Sequence, residues 1–259
     1  CMVSCPFGAI ADKSQIFQLI RALQSGRMII AQVAPSFAGQ FGPKVTPDMF
    51  KTALKELGFA EVYETAIGAD MGCVAEAEHY VREVATGKQA FALTSCCPSW
   101  AMMAKNLFPE TIDKISNELT PMVATARVIK EKYPEASVVF IGPCASKKLE
   151  ASRTTVRSDV DFVITFEELT GMFEAKGILV EEIKAMDELN GATAAGRGYG
   201  VAGGVASAIE SCIKEYYPGT AVHVEHAESL AECKKMLLLA KAGKMNGCLI
   251  EGMACPGGC

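Results

Sequence analysis

Short apolar runs alternate with segments of helical periodicity along most of the chain. The apolar runs are rich in β-branched residues and predict strands at residues 28–34, 61–66, 90–95, 137–142, 161–166, 221–226 and 247–251. Helices are predicted between them, at residues 47–57, 70–86, 121–132, 204–216 and 227–242, with a further one opening at Pro98. Thr46 and Asp70 are the expected N-caps of the first two. The alternation predicts an α/β fold with parallel sheets flanked by helices.

The predicted fold has two lobes, each built on a mostly parallel sheet with helices on its faces. The first lobe is expected to span residues 27–133 and the second residues 134–259. In open parallel sheets, ligands bind outside the carboxyl ends of the strands. A cofactor cleft is therefore expected between the two lobes.

The composition indicates a large core and no strong surface charge. Half of the 259 residues are apolar, and the net charge of −5 comes from acids and bases that are mixed along the chain. This mixture argues against binding to nucleic acid or to a membrane surface. No apolar run approaches the ~20 residues of a membrane span, and the first residues lack the pattern of a signal peptide. We therefore expect a cytoplasmic location.

Three cysteine-containing segments carry the candidate chemistry, and each comes directly after a predicted strand. They are TSCCPSW at residues 94–100, PCASKKLEA at residues 143–151 and EGMACPGGC at residues 251–259. Thiolates in such loops are typical ligands of iron–sulfur clusters, and a 4Fe–4S cluster needs four. The segments supply that number with Cys97, Cys144, Cys255 and Cys259. Cys96 is expected to point away from Cys97, because successive side chains of extended backbone face opposite ways.

The first residues indicate that the sequence begins inside a longer protein. Cys1 and Cys5, followed by Pro6, match the end of a bacterial ferredoxin motif whose earlier cysteines are missing. We interpret residues 1–10 as the remnant of an upstream ferredoxin-like domain and residues 11–259 as the main domain, truncated at both ends. The alternative is a chance match. Four further cysteines are interpreted as small buried apolar residues: Cys73, Cys212, Cys233 and Cys248.

The three cysteine segments resemble, in order, the signature motifs of the catalytic domain of iron-only (FeFe) hydrogenases. The resemblance extends from residue 28 to residue 259 and includes APS at 34–36, GAD at 68–70 and the turn at 199–204. It implies reversible oxidation of H2 to protons and electrons at an H-cluster. That cofactor is a 4Fe–4S cluster joined to a diiron subsite with CO, cyanide and azadithiolate ligands. The implied partners are H2, protons, a ferredoxin or upstream iron–sulfur domain, and maturation proteins.

The resemblance also implies roles for residues around the cofactor. The four cysteines would hold the 4Fe–4S cluster, and Cys259 would also bridge to the diiron subsite. Lys147 would donate a hydrogen bond to one cyanide, which suits an ammonium facing a buried anion. Pro35 and Ser36 would meet the other cyanide, and Met253 would pack against the subsite.

Proton transfer is implied for a second group of residues. Cys96 would relay protons at the cofactor, and Glu76 and Ser116 would continue the route toward solvent. The well-studied catalytic members have a second glutamate where this chain has His79. An imidazole can pass a proton near neutral pH, so His79 is a candidate member of a modified route. The alternative is that His79 is a partly exposed surface residue.

Several residues depart from the pattern of the catalytic members, at positions on the outer proton route and around the pocket: Glu83, Gly142, Met122, Ser99 and Tyr199. The departures leave three functions open. The first is a hydrogenase, and the second is a hydrogen-sensing domain with slow turnover. The third is an iron–sulfur assembly factor without the diiron subsite. Cys96, Lys147 and Met253 argue against the third, because they would serve the diiron subsite.

Overall fold

The structure is a computed structural model that describes residues 6–7, 9, 11–154 and 157–259. The ferredoxin-like motif at Cys1 and Cys5 lies outside the described residues. Within them, no helix combines the length and the apolar character needed to cross a membrane.

The described residues form two separate parallel sheets. The strands are β1 (Ile29–Val33), β2 (Glu61–Glu64), β3 (Ala92–Leu93), β4 (Ser137–Gly142), β5 (Phe162–Thr165), β6 (His223–Glu228) and β7 (Cys248–Met253). The first sheet has the order β2-β1-β4-β5, and the second has the order β3-β7-β6. All neighbouring strands in both sheets run parallel, as the alternation of apolar runs and helices predicts.

Helices connect and cover the strands. They are α1 (Ile16–Gln24), α2 (Pro47–Leu57), α3 (Ala66–His79), α4 (Pro98–Leu107), α5 (Pro121–Lys132), α6 (Ser146–Ala151), α7 (Phe166–Lys176), α8 (Ala194–Arg197), α9 (Gly204–Tyr216) and α10 (Ser229–Lys241). A π-helical turn, Tyr80–Val84, follows α3 directly. The α/β class with parallel sheets flanked by helices is therefore confirmed.

Several boundaries follow the sequence signals closely. Helices α2 and α5 begin at prolines, and the Thr46 side chain accepts a hydrogen bond of 3.2 Å from the backbone N–H of Met49. Asp70, however, is not an N-cap: α3 begins one turn earlier, at Ala66, and Asp70 instead accepts hydrogen bonds from the backbone and hydroxyl of Thr193. The run at residues 90–95 yields only the two-residue strand β3.

The strands do not divide between the sheets at residue 133, where the boundary between the lobes was predicted. β4 and β5 follow that point but join β1 and β2, whereas β3 precedes it and pairs with β7. The prediction of successive lobes was wrong because parallel strands pair through crossovers that linear proximity does not reveal. Each sheet is built from both parts of the chain.

The strands β1, β4 and β7 are buried on both faces, which explains their nearly continuous apolar sequences, whereas the edge strand β6 is polar and largely exposed. In β1, Ile29, Ala31 and Val33 face a core formed with α2 and α7, while Ile30 packs with α5 on the other side. In the second sheet, Leu249 packs with α3 and α9. Ile250, the next residue, packs with α4 and α10. The carboxyl ends of the strands are left to line the space between the sheets.

Candidate metal centre

The carboxyl ends of five strands from both sheets meet at one cavity. Ala34 follows β1, Thr65 follows β2, and Cys144 follows β4 in the first sheet; Cys96 and Met253 lie at the ends of β3 and β7 in the second. The cavity contains about 620 Å³ of space that protein atoms leave empty, including solvent at its mouth. Its position is the one at which parallel sheets bind ligands.

The four candidate cluster ligands come together around this cavity. Cys97, Cys144 and Cys259 line it, whereas Cys255 is exposed at its edge. Burial raises the pKa of the Cys259 thiol to about 12, and the neighbouring Cys97, Cys144 and Cys255 thiols contribute to the rise. Burial also raises the pKa of Cys255, again with contributions from Cys144 and Cys97. The four sulfurs are therefore neighbours.

The spacing of these thiols does not suit a single metal ion. Across the described residues, no three His, Cys, Asp or Glu side chains are arranged to hold one ion. An iron–sulfur cluster places each thiolate on a different iron, so its ligands stand further apart than those of one ion. The donor set, four thiols and no imidazole, also suits iron–sulfur chemistry.

The glycine-rich turn at residues 199–204 supports the loop that carries the last two cysteines. The Cys259 N–H donates to the Gly200 carbonyl at 2.8 Å, and the Ala202 N–H donates to the Gly257 carbonyl at 3.2 Å. A Cβ on Gly258, whose φ is +103°, would lie 2.6 Å from the Gly200 carbonyl oxygen. Only glycine fits there. The turn thus positions Cys259 at the cavity.

A buried carboxylate anchors the strand that precedes this loop. Glu251 is fully buried and accepts hydrogen bonds from the backbone N–H groups of Gly203, at 2.9 Å, and Ala206, at 2.7 Å. These groups lie at the start of α9, where helices present unpaired donors. Burial raises the pKa of Glu251, although the backbone donors oppose the rise. The next residue, Gly252, packs so closely on Trp100 that a Cβ would lie 2.1 Å from the ring.

Cys96 and Cys97 both reach the cavity but pack in different surroundings. Cys96 packs against the cluster that contains Tyr199 and Met253, and Cys97 against the cluster that contains Trp100. Burial raises the pKa of the Cys96 thiol well above its usual range, with a smaller contribution from the Glu251 carboxylate. Cys96 is therefore a neutral thiol beside the predicted cluster ligands.

Lys147 brings a positive charge into the cavity wall. Its Nζ donates to the Cys96 carbonyl at 3.0 Å and to Glu150 Oε2 at 2.7 Å, which uses two of its three N–H donors. Glu150 is itself buried and accepts a hydrogen bond from Thr120. Burial opposes the charged form of Lys147, but Glu150 outweighs it and the pKa of Lys147 is raised. One donor of a buried ammonium thus remains for a ligand.

Buried polar atoms around the cavity favour a polar ligand. Among the described residues, four buried side-chain oxygens have no hydrogen-bond partner: Ser36 Oγ, Glu76 Oε2, Thr94 Oγ1 and Tyr199 Oη. Ser36 and Tyr199 line the main cavity; Glu76, Thr94 and Tyr199 line a small adjoining one that also contacts Cys96. Buried polar groups are rarely left unpaired. A cofactor whose ligands form hydrogen bonds would pair these unpartnered oxygens. Met253 contributes an apolar part of the cavity lining.

Tyr199 and Met122, two of the residues that depart from the pattern of the catalytic members, line the cavity. A Cβ on Gly142 would lie 2.5 Å from the Phe140 ring, which lines the cavity. Phe140 thus occupies the space that a side chain at Gly142, another of the departing positions, would need. Met122 is fully buried in the same lining.

Glu76 lies between Cys96 and the Ser116 side chain. It is buried on α3, and burial raises its pKa to about 7, although a hydrogen bond from Ser116 opposes the rise. The Ser116 hydroxyl also accepts a hydrogen bond of 3.1 Å from the Glu118 N–H. A carboxyl group with this pKa can both hold and release a proton near neutral pH.

Replacing Glu76 by glutamine is expected to stabilise the folded chain increasingly as the pH rises. The folded pKa of about 7 lies above the unfolded value of ~4.3, so stability present at low pH is lost as the carboxyl ionises. Between pH 5 and pH 8, the unfolding free energy of Glu76→Gln should gain on the order of 2 to 3 kcal/mol over the wild type. Urea titrations at both pH values measure this difference.

Glu78 is the matched control, since it lies on the same helix with 62% of its side chain exposed. Glu78→Gln should follow the wild type at both pH values. A Glu76→Gln difference that does not change with pH would contradict the raised pKa.

The structure does not place His79 in contact with Glu76. His79 is half-buried at the end of α3, and its electrostatic neighbour is Glu83, whose pKa is lowered chiefly by Arg82. Its predicted relay role stays a prediction.

The comparisons with known proteins agree with the geometry. A model of the family described as "Iron only hydrogenase large subunit, C-terminal domain" matches residues 27–259. The chain is 31% identical to iron hydrogenase 1 of Clostridium pasteurianum over 238 residues, which cover 82% of this chain and 41% of that protein. It is 27% identical to the NADP-reducing hydrogenase subunit HndD of Solidesulfovibrio fructosivorans, over all of this chain and 54% of that one. The chain thus spans about half the length of these relatives.

Two further similarities concern assembly and fold. The cytosolic Fe-S cluster assembly factor NAR1 of Meyerozyma guilliermondii is 28% identical over 134 residues, which cover 47% of this chain and 25% of that protein. A variant of the [FeFe]-hydrogenase HydA1 from Chlamydomonas reinhardtii superposes with a TM-score of 0.80 at 24% identity, over 95% of this chain and 83% of that one. That structure has the same fold. With the family match covering nearly the whole chain, the protein belongs to the family of C-terminal domains of iron-only hydrogenases.

Proposed function

We propose that this iron–sulfur protein catalyses the reversible oxidation of H2 to protons and electrons. The observation that carries the proposal is the composition of one cavity: cluster-type thiols, the Cys96 thiol, the Lys147 ammonium and the apolar Met253 share its wall. A 4Fe–4S cluster alone needs only the thiolates. The additional residues suit a second, anionic part of the cofactor, as in the H-cluster.

The residues have separate tasks in this proposal. Cys97, Cys144, Cys255 and Cys259 would hold the 4Fe–4S cluster, and Cys259 would also serve the diiron subsite with its CO, cyanide and azadithiolate ligands. When bound, this H-cluster supplies the two-electron chemistry of H2 cleavage and formation. Lys147, Pro35 and Ser36 bind its anionic ligands, and Met253 excludes water from its face.

Protons move through side chains of the chain itself. The Cys96 thiol accepts and returns a proton at the cofactor, and the adjoining small cavity connects Cys96 with Glu76. Ser116 lowers the pKa of Glu76, as a neighbouring hydroxyl does, and lines a separate cavity of about 950 Å³ that includes solvent. Glu76 can therefore pass protons between the buried thiol and the solvent side.

Infrared spectroscopy after maturation tests the proposal. Metal-bound CO and cyanide absorb where protein does not, so their stretches should appear together with H2 turnover. An assembly factor would instead show iron and sulfide of a 4Fe–4S cluster with no such stretches. The similarity to assembly factors supports this alternative, and it covers 47% of this chain for NAR1 of Meyerozyma guilliermondii and 65% for a probable assembly factor of Aedes aegypti. A hydrogen-sensing domain would show the stretches with slow turnover.

Electron transfer to a ferredoxin or an upstream iron–sulfur domain, and loading by maturation proteins, complete the proposal. We also propose that the activity is cytoplasmic. The names of the relatives include both a cytosolic assembly factor and a periplasmic hydrogenase large subunit.

His79 is expected to set the pH dependence of turnover if protons leave beyond Glu76 through its imidazole. Imidazole is the side chain that can hold and release a proton near neutral pH without a perturbing environment, whereas a glutamate carboxyl generally cannot. His79→Ala should remove the imidazole step from the pH profile and slow turnover by about 10-fold or more. His79→Glu should preserve or raise turnover. A His79→Ala profile that matches the wild type would show that protons leave by another path.

A further inference from the structure

Two cysteines outside the candidate metal centre meet between helices α3 and α9. Cys73 lies on α3 and Cys212 on α9, and their sulfur atoms are 2.8 Å apart. A disulfide bond is about 2.05 Å long, so the sulfurs need to approach by less than about 1 Å to become bonded. The interpretation of Cys73 as a small buried residue is confirmed, and Cys212 is half-buried against the same apolar cluster. Their contact was not predicted, because α3 and α9 become adjacent only in the folded chain.

The two thiols differ in access to solvent. Cys73 is 2% exposed, and burial, followed by the Cys212 contact, raises its pKa. Cys212 is half-buried beside the exposed Ser211. Cys212 is therefore the member of the pair nearer to solvent, and Cys73 is a buried thiol within bonding range of it.

We propose that Cys73 and Cys212 are a redox modification site that forms a reversible disulfide linking α3 to α9. The oxidant is a low-molecular-weight disulfide. The Cys212 thiol loses its proton and attacks one sulfur of that disulfide, which gives a mixed disulfide and releases one thiol. The Cys73 sulfur, after losing its proton, attacks the Cys212 sulfur and releases the second thiol. The protein loses two electrons and two protons, and the external disulfide becomes two thiols.

The site is placed where its closure affects the cavity. Glu76 follows Cys73 by one turn of α3, and the Tyr199 side chain, which lines the cavity, lies beside the Cys73 thiol. The disulfide fixes α3, which carries Glu76, against α9, and Tyr199 lies in the turn that precedes α9. The bond itself does not depend on the proposed hydrogenase activity.

Peptide mapping of the oxidised chain tests the disulfide directly. Trypsin releases Cys73 within residues 56–82 and Cys212 within residues 198–214, each as the only cysteine of its peptide. The full chain, kept anaerobic, is treated with oxidised glutathione, alkylated, digested without reduction and analysed by mass spectrometry. We expect these two peptides as one cross-linked species, which dithiothreitol separates.

Cys233 provides an internal control, because residues 215–234 contain no other cysteine and its thiol contacts only backbone carbonyls among its hydrogen-bond partners in the described residues. Its peptide should remain alkylated. Cys212→Ser should abolish the cross-linked species, and Cys248→Ser should retain it. Alkylation of both Cys73 and Cys212 after oxidation, a bond from either to a different cysteine, or a bond that dithiothreitol does not open would overturn the proposal.

Thermal unfolding gives a second measurement. A disulfide that closes a loop of this length should raise Tm by on the order of 10 °C in the wild type and in Cys248→Ser. Cys212→Ser should show no such rise on oxidation. Because neither measurement uses H2, a chain that fails as a hydrogenase can still form the bond, and a chain without the bond can still turn over H2.

Discussion

Replacing Cys96 by alanine is expected to lower H2 turnover by at least about 100-fold without loss of iron. General acid–base groups contribute about 10² to 10⁴ to rates, and Cys96 is the thiol that connects the main cavity with the small cavity of Glu76. It packs beside Met253 and Tyr199, apart from the surroundings of Cys97. Turnover, iron content and the infrared spectrum of the matured variant are the measurements.

The control for Cys96→Ala is Cys248→Ala, which removes a half-buried thiol on β7 away from the cavity. It should keep both iron and turnover. Cys96→Ser separates size from acidity, since a hydroxyl has nearly the same shape but gives up its proton far less readily. If Cys96→Ala turned over H2 at the wild-type rate, Cys96 would not be a proton relay. If the variant lost its iron, Cys96 would be a cluster ligand.

Loss of bound iron is the expected result of replacing Cys97 or Cys144 by alanine. Both line the cavity and are two of the four thiols proposed to bind the cluster, and a 4Fe–4S cluster needs four. Cys97 follows β3 of the second sheet and Cys144 follows β4 of the first, so the two variants test separately whether each sheet contributes a ligand to the cluster. We expect the iron and sulfide content, and with it the visible absorbance, to fall to a small fraction of the wild-type value, and H2 turnover to be abolished.

Cys233→Ala is the matched control for the cluster ligands, because Cys233 is a fully buried cysteine that hydrogen-bonds to the carbonyls of Ala227 and Met253. It should retain iron while losing some stability. Full iron content in both Cys97→Ala and Cys144→Ala would show that the cluster lies elsewhere. If only one of the two variants kept its iron, the residue changed in that variant would not be a cluster ligand.

Local signals in the sequence predicted local structure well. Prolines 47 and 121 begin helices at the predicted residues, and the apolar run at residues 137–142 forms a strand with the same limits. The candidate cysteines were found because each follows such a run. Sheet membership was not predictable in this way, because the pairing of β3 with β7 joins residues far apart in the chain.

The two buried carboxylates that position the cavity residues were not identified from the sequence, for a related reason. Glu251 and Glu150 look like ordinary acidic residues in the sequence, yet both are buried acceptors. Glu251 holds the start of α9, and Glu150 neutralises Lys147. The partners become neighbours only after folding, so spacing gives no sign of them. A carboxylate inside an apolar run, as Glu251 is, was the one available signal, because an unpaired buried charge is costly.

The alternation of side chains along β7 limits how this part of the protein can evolve. Leu249, Glu251 and Met253 serve one side of the strand, while Ile250 and Gly252 serve the other. Inserting or deleting one residue would exchange the two sides, turning a carboxylate toward the Trp100 ring and a glycine toward the start of α9. Insertions and deletions are therefore tolerated only in the loops on either side of β7. Within the strand, evolution is limited to substitutions, each of which affects one face.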